Sequence, residues 1–131
     1  MEANSHPADL AAAHAELRRL IDAIEAETAR PLPDIAGLTS VRMKLTQASR
    51  RRTALVDEIV RRNRVAASAE QRAHLETLWT DLQQARMISA GHIGRWTVQA
   101  IKADWPGYCA ASADLRIRMR AQIDREAALL A

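Results

Sequence analysis

The chain is short of the features that usually announce chemistry. Its single cysteine, Cys109, excludes an internal disulfide framework and fits a reducing compartment. Aromatic residues are 3% of the 131 residues, with three Trp, one Tyr and no Phe; that is too few for the stacking platforms of single-strand nucleic-acid binders. Four Gly and four Pro leave no Gly-rich phosphate loop. No apolar run approaches the length of a membrane span. The opening residues Met1 to Leu10 lack the apolar core of a secretory signal, so a cytoplasmic protein outside the membrane is expected. No stretch alternates with the two-residue period of a half-buried strand.

What is present is helix-forming and charged. Nineteen Lys+Arg stand against sixteen Asp+Glu, a net charge of +3. Lys44 and Lys102 are the only lysines, so the cations are almost all Arg. A basic balance suits nucleic acid or an anionic surface, but without interleaved aromatics a solvated basic face is the simpler reading, and a nucleic-acid partner is not expected. The length fits one domain, able to bury about two-thirds of its unfolded surface.

The prolines punctuate an all-α chain. Four helices are expected, over about 7–28, 34–63, 68–105 and 108–130. The first carries the stripe Leu10, His14, Leu17, Ile21, Ile24 with Leu20 beside it, at the three-and-four spacing of one helical face. Pro31 and Pro33 end the connection after it, and Asp34 caps the second helix. The second stripe, Ile35, Leu38, Val41, Leu45, Ala48, then Leu55 and Ile59, is interrupted by the polar run Thr46 to Thr53. Ser68 with Gln71 forms a capping box for the third helix, expected to stop at Pro106-Gly107. Leu75, Leu78, Leu82, Ala85, Ser89, Ile93, Trp96 and Ala100 lie on one of its faces. Met87, Gly91, Gly94, Val98, Ile101 and Trp105 lie on another. A helix apolar on two sides touches more than its own bundle unless it lies centrally, so this second face is the candidate interface for a protein partner or homodimer.

The last helix carries Tyr108, Ala111, Leu115, Met119, Gln122, Glu126 and Leu129 along one side. Gln122 and Glu126 stand where a core wants Leu, and a buried amide or carboxylate left without partners costs a few kcal/mol (about 1–3 or more each). The interior should therefore be polar in one layer. Gln47, Arg51 and Arg52 lie near the buried face of the second helix, and His14 lies on the stripe of the first. In an antiparallel pair, His14 and Glu126 reach the same level. The candidate polar-core pocket is thus His14, Gln47, Arg51, Arg52, Gln122 and Glu126, with one of Arg50, Arg51 and Arg52 turned inward.

Metal and nucleophile chemistry find little. His74 and His92 are about five turns apart on one helix, ~27 Å of rise, and His6 precedes the first stripe. No Glu-x-x-His or His-x-x-x-His pair occurs. Cys109 lies at a helix start, where a thiol pKa can fall, but no His adjoins it in sequence. Neither a catalytic residue, a metal site nor a cofactor is assigned.

The segment His14-Ala-Glu-Leu-Arg-Arg-Leu-Ile-Asp-Ala-Ile24 resembles the first helix of hemerythrin-like (HHE cation-binding) domains. Gly94-Arg-Trp-Thr-Val-Gln-Ala-Ile-Lys-Ala-Asp-Trp-Pro-Gly-Tyr108 and Arg120-Ala-Gln-Ile-Asp-Arg-Glu-Ala-Ala-Leu129 resemble the third and fourth helices of a divergent branch. The resemblance implies an up-down-up-down four-helix bundle around a di-iron centre. On it, His14 matches the first-helix His and Glu126 the last-helix acid. Gln122 stands where that helix usually has His, and the second-helix His and acid fall on Gln47 and Arg51. The third helix offers His74 alone. Most ligands being replaced, the expectation is a non-catalytic bundle that has lost its iron and serves as a regulatory or protein-binding module. Two alternatives stay open: a working non-haem iron protein that binds oxygen or senses redox, and a helical export chaperone of the flagellar type.

Overall fold

The computed structural model describes residues 5–130, and side chains from residue 8 onward; the side chain of His6 lies outside that range. Five helices appear and, among the described residues, no strand: α1 Ser5–Thr28, α2 Ile35–Arg64, α3 Ala69–Arg95, α4 Val98–Ala103 and α5 Trp105–Leu130. Local chemistry sets most boundaries. Thr28 ends α1 with its hydroxyl donating to the carbonyls of Ile24 and Glu25, and Pro31 and Pro33 follow. The Asp34 carboxylate accepts from the Gly37 N–H at 3.2 Å and opens α2. Ser68 and Gln71 exchange both bonds of a capping box at the start of α3.

The third helix does not run unbroken to Trp105. It ends at Arg95, and Trp96 and Thr97 leave the helical path. Thr97 then caps α4 by accepting from the Ala100 N–H at 3.2 Å. Asp104 separates α4 from α5; its carboxylate accepts from the Gly107 N–H at 3.0 Å and its carbonyl from the Tyr108 N–H. Pro106 sits in the first turn of α5, where its missing N–H costs nothing. It helps to start a helix here rather than to stop one.

Three apolar clusters fill the interior. Leu10 of α1 joins Val56, Ile59 and Val60 of α2 and Leu75, Leu78 and Leu82 of α3. Leu17, Leu20 and Ile21 meet Ala48 and Ile123. Ile24 and Leu38 meet Trp96, Ile101 and Tyr108. α1 packs against α2 and α5, α3 against the same two, and α4 against α5. Contacts between α1 and α5 run in opposite chain order: His14 with Glu126, Arg18 with Asp124, Asp22 with Arg120, and Thr28 with Arg116.

The break after Arg95 redistributes the expected second face of the third helix. Ile101 is 1% exposed and belongs to the third core cluster, so it is not an interface residue. Trp105 is half-buried, stacked on Tyr108 at 5.8 Å, with its indole N–H donating to the Arg30 carbonyl at 3.1 Å. Met87, Gly91, Gly94 and Val98 remain exposed. A Cβ added at Gly91 or Gly94 would meet nothing within 4 Å, so neither glycine serves a close helix approach inside the chain.

Candidate functional site

Between the first two apolar clusters lies a polar layer. His14 falls between Leu10 and Leu17 on α1, Arg52 between Ala48 and Val56 on α2, and Gln122 and Glu126 flank Ile123 on α5. Glu126 is 0% exposed and His14, Gln122 and Arg52 are 2%, 3% and 7% exposed. The His14 Nε2–H donates to Glu126 Oε1 at 2.9 Å, since an ionised carboxylate only accepts. Arg52 Nη1 donates to Oε2 at 3.0 Å, and Gln122 Nε2 donates to the same oxygen at 2.8 Å. Arg125 closes the chain of bonds by donating to Gln122 Oε1 at 2.6 Å.

The electrostatics follow from these donors. Burial pushes the Glu126 carboxyl upward, but the His14 hydrogen bond, the Arg52 charge and the Gln122 hydrogen bond outweigh it. The carboxyl therefore stays below its ordinary 4.5 and carries its charge at neutral pH. Such a pair is tolerable in the interior because each charge faces its opposite, although the Arg52 Nε is buried without a hydrogen-bond partner; either residue alone would be an uncompensated buried charge.

Not all six candidate residues meet here. Gln47 and Arg51 are exposed, as is Arg50. The inward face of α2 in this region is Ala48, Arg52 and Val56, one position on from the Gln47–Arg51 register that the resemblance implied. A shift of one residue rotates a side chain by about 100°, enough to carry Gln47 and Arg51 out to solvent. Ser112 and Ile123 are buried on α5 although they lie beside its expected stripe, whereas Leu129 is 37% exposed. His74 is exposed on α3.

The donor set does not fit a di-iron centre. Only His14 and Glu126 in the layer are metal-ligand types, and a guanidinium occupies the second carboxylate oxygen. Among the described residues no group of three or more His, Cys, Asp or Glu is placed to hold a metal ion. Cys109 offers no activated nucleophile: its Sγ lies 3.4 Å from the Thr28 carbonyl, and burial pushes the thiol pKa up although the Arg116 charge pulls the other way.

A second feature lies beside the layer. A half-open groove of about 770 Å³ runs between α2 and α3 over a floor of α5. One end gathers Arg42, His92, Tyr108, Ser112 and Arg116; along the length beyond, Leu45, Leu82, Leu115 and Met119 are interspersed with polar residues such as Thr46, Ser49, Thr53 and Gln83. Tyr108 anchors the polar end. Its ring makes an edge contact with Trp96 at 5.7 Å, and the Arg42 guanidinium lies 5.5 Å from its centroid. The His92 ring is 5.8 Å away, its pKa lowered by burial and by the Arg42 charge. Arg42 and Ser112 carried no sequence signal, since neither belongs to a motif; only the folded chain brings them together. No helix among the described residues is long and apolar enough to cross a membrane. Comparison with family models, with curated proteins and with solved structures gives no match.

Proposed function

We propose that the chain is a non-catalytic, hemerythrin-like four-helix bundle in which an ionic cluster has taken the place of the metal, and that it acts as a regulatory or protein-binding module. The observation that carries this reading is Glu126, a fully buried carboxylate with both oxygens engaged by His14, Arg52 and Gln122. Arg52 supplies the positive charge that a cation would otherwise bring. The ring of packing α1–α2–α3–α5–α1 and the reversed contact order of α1 and α5 support up-down-up-down connectivity. Burial of Tyr108, Gln122, Ile123 and Glu126 speaks against a last helix held loosely for a client, as an export chaperone would require. The exposed strip Met87, Gly91, Gly94 is the surface offered to a protein partner or second copy.

Elemental analysis and unfolding of freshly purified protein test the reading. The expected result is less than stoichiometric iron and a melting temperature unchanged by ferrous salt or by chelator. Stoichiometric iron that survives a chelator wash, with a visible charge-transfer band, would overturn it. For the partner surface, Met87→Asp is expected to weaken any self-association seen by sedimentation equilibrium while leaving the melting temperature in place.

A further inference from the structure

The two cations at the polar end of the groove are short of anionic partners. Arg42 Nη2 donates to the Trp96 carbonyl at 2.7 Å, and among the described residues no carboxylate pairs with it. Arg116 Nη1 donates to the hydroxyls of Ser112 and Thr28 at 2.8 and 3.1 Å. Its nearest carboxylate, Glu25, is 3.9 Å away and is held more closely by Arg120 at 3.0 Å. The Arg116 side chain is only 11% exposed, so water screens its charge poorly. Both guanidinium charges reach the Tyr108 hydroxyl, opposing the upward push of burial on its pKa.

Charge among the described lining residues of the groove is predominantly positive. Arg50 and Arg86 join Arg42 and Arg116 in the lining, and the only acid there is Asp57. Asp57 is already paired with Arg61 at 2.9 Å. Beyond the polar end, Leu45, Leu82, Leu115 and Met119 share the lining with hydroxyl and amide side chains, and the half-exposed Trp79 and Ile93 side chains add apolar surface. A space of about 770 Å³ lies within the usual size of small-molecule sites, ~300–1,000 Å³. Along α2 the lining runs from Arg42 to Asp57, roughly 22 Å of helix, an elongated shape.

We propose that this groove binds an amphipathic carboxylate, a flexible apolar chain with one anionic head. The head lies between Arg42 and Arg116 beside Tyr108, where carboxylate oxygens take up the unused guanidinium N–H groups. The chain lies along Leu45, Leu82, Leu115 and Met119, which removes its apolar surface from water. The proposal goes beyond the loss of metal and does not rest on it: iron content tests that reading, and ligand binding tests this one.

The full chain is titrated with dodecanoate below its micellar concentration, by calorimetry and tryptophan fluorescence. Dodecanol and dodecyltrimethylammonium, with the same chain and no charge or the opposite charge, are titrated in parallel. Saturable one-to-one binding of dodecanoate is expected, with dodecanol about tenfold or more weaker and no binding of the cation. Arg116→Gln is expected to weaken dodecanoate about tenfold or more. Because Arg116 also braces Thr28 and Ser112, a second variant is used: Ala54→Trp, at an exposed position of the groove wall, should abolish binding while the helical melt persists. No binding, equal affinity for dodecanol, or undiminished binding in Ala54→Trp would each overturn the proposal. A dimer that Ala54→Trp splits, with no dodecanoate bound, would assign the groove to a second copy and overturn it as well.

Discussion

At the scale of single residues, the interior turns on how one carboxylate is satisfied. Glu126 sits among Leu-sized neighbours, yet His14, Arg52 and Gln122 supply three hydrogen bonds to it. Truncation to Ala strands the Arg52 charge in the interior. Glu126→Ala should cost about 3–5 kcal/mol in urea unfolding. The double variant Arg52→Met with Glu126→Leu should recover only part of that loss, because it removes the stranded charge but leaves the buried His14 and Gln122 donors without their acceptor. The pH dependence has a definite sign. The folded carboxyl is depressed below 4.5, so its stabilising contribution is complete above that value and is lost as pH falls through the lowered folded value. Unfolding of wild type and Glu126→Gln followed from neutral pH downward should show a gap that narrows only below about 4.5. The need for a polar layer was legible from Gln122 and Glu126 alone. Which arginine completes it was not, because the polar run Thr46 to Thr53 erases the apolar stripe that would have fixed the rotation of α2.

At the scale of elements, capping explains both the boundaries that were legible and the one that was misplaced. Asp34 and Ser68 begin α2 and α3 where their side chains predict. Thr97 and Asp104 are cap residues of the same chemistry, but Pro106-Gly107 drew the expected end of the third helix too far along the chain. A Pro two places after an Asp fits the first turn of a new helix. Gly107 belongs to the same device: a Cβ there would run into the Asp104 carboxylate, which would have to leave its cap. Asp104→Ala should lower stability by about 1 kcal/mol. Gly107→Ala should gain no stability, although Ala is the better helix former by about 1 kcal/mol, because the lost cap offsets the gain. Chemical denaturation of the two variants checks both outcomes.

At the scale of the whole molecule, the helices are unequally held. α1 buries Leu10, His14, Leu17, Leu20, Ile21 and Ile24 along its length. α3 buries only Leu75, Leu78 and Leu82, none beyond its midpoint, and the groove runs beside it from Trp79 to Ile93. Local opening follows the density of buried contacts. Amides of 87–95 should therefore exchange with solvent before those of 17–24 in native-state hydrogen exchange. An occupant of the groove that packs against Leu82 and Ser89 should slow the first set and leave the second unchanged.

The amino-acid order alone determined the helical content, the buried face of α1, the caps of α2 and α3 and the presence of polar groups in the core. These are local matters, set by periodicity and by side chains bonding to nearby backbone. Tertiary structure decided which of three adjacent arginines turns inward, where Ile101 is buried, and that Arg42 and Arg116 converge on Tyr108 from different helices. Those outcomes depend on the rotation and level of one helix against another. A single residue of register moves a side chain by about 100°, and no local pattern in a polar stretch constrains it.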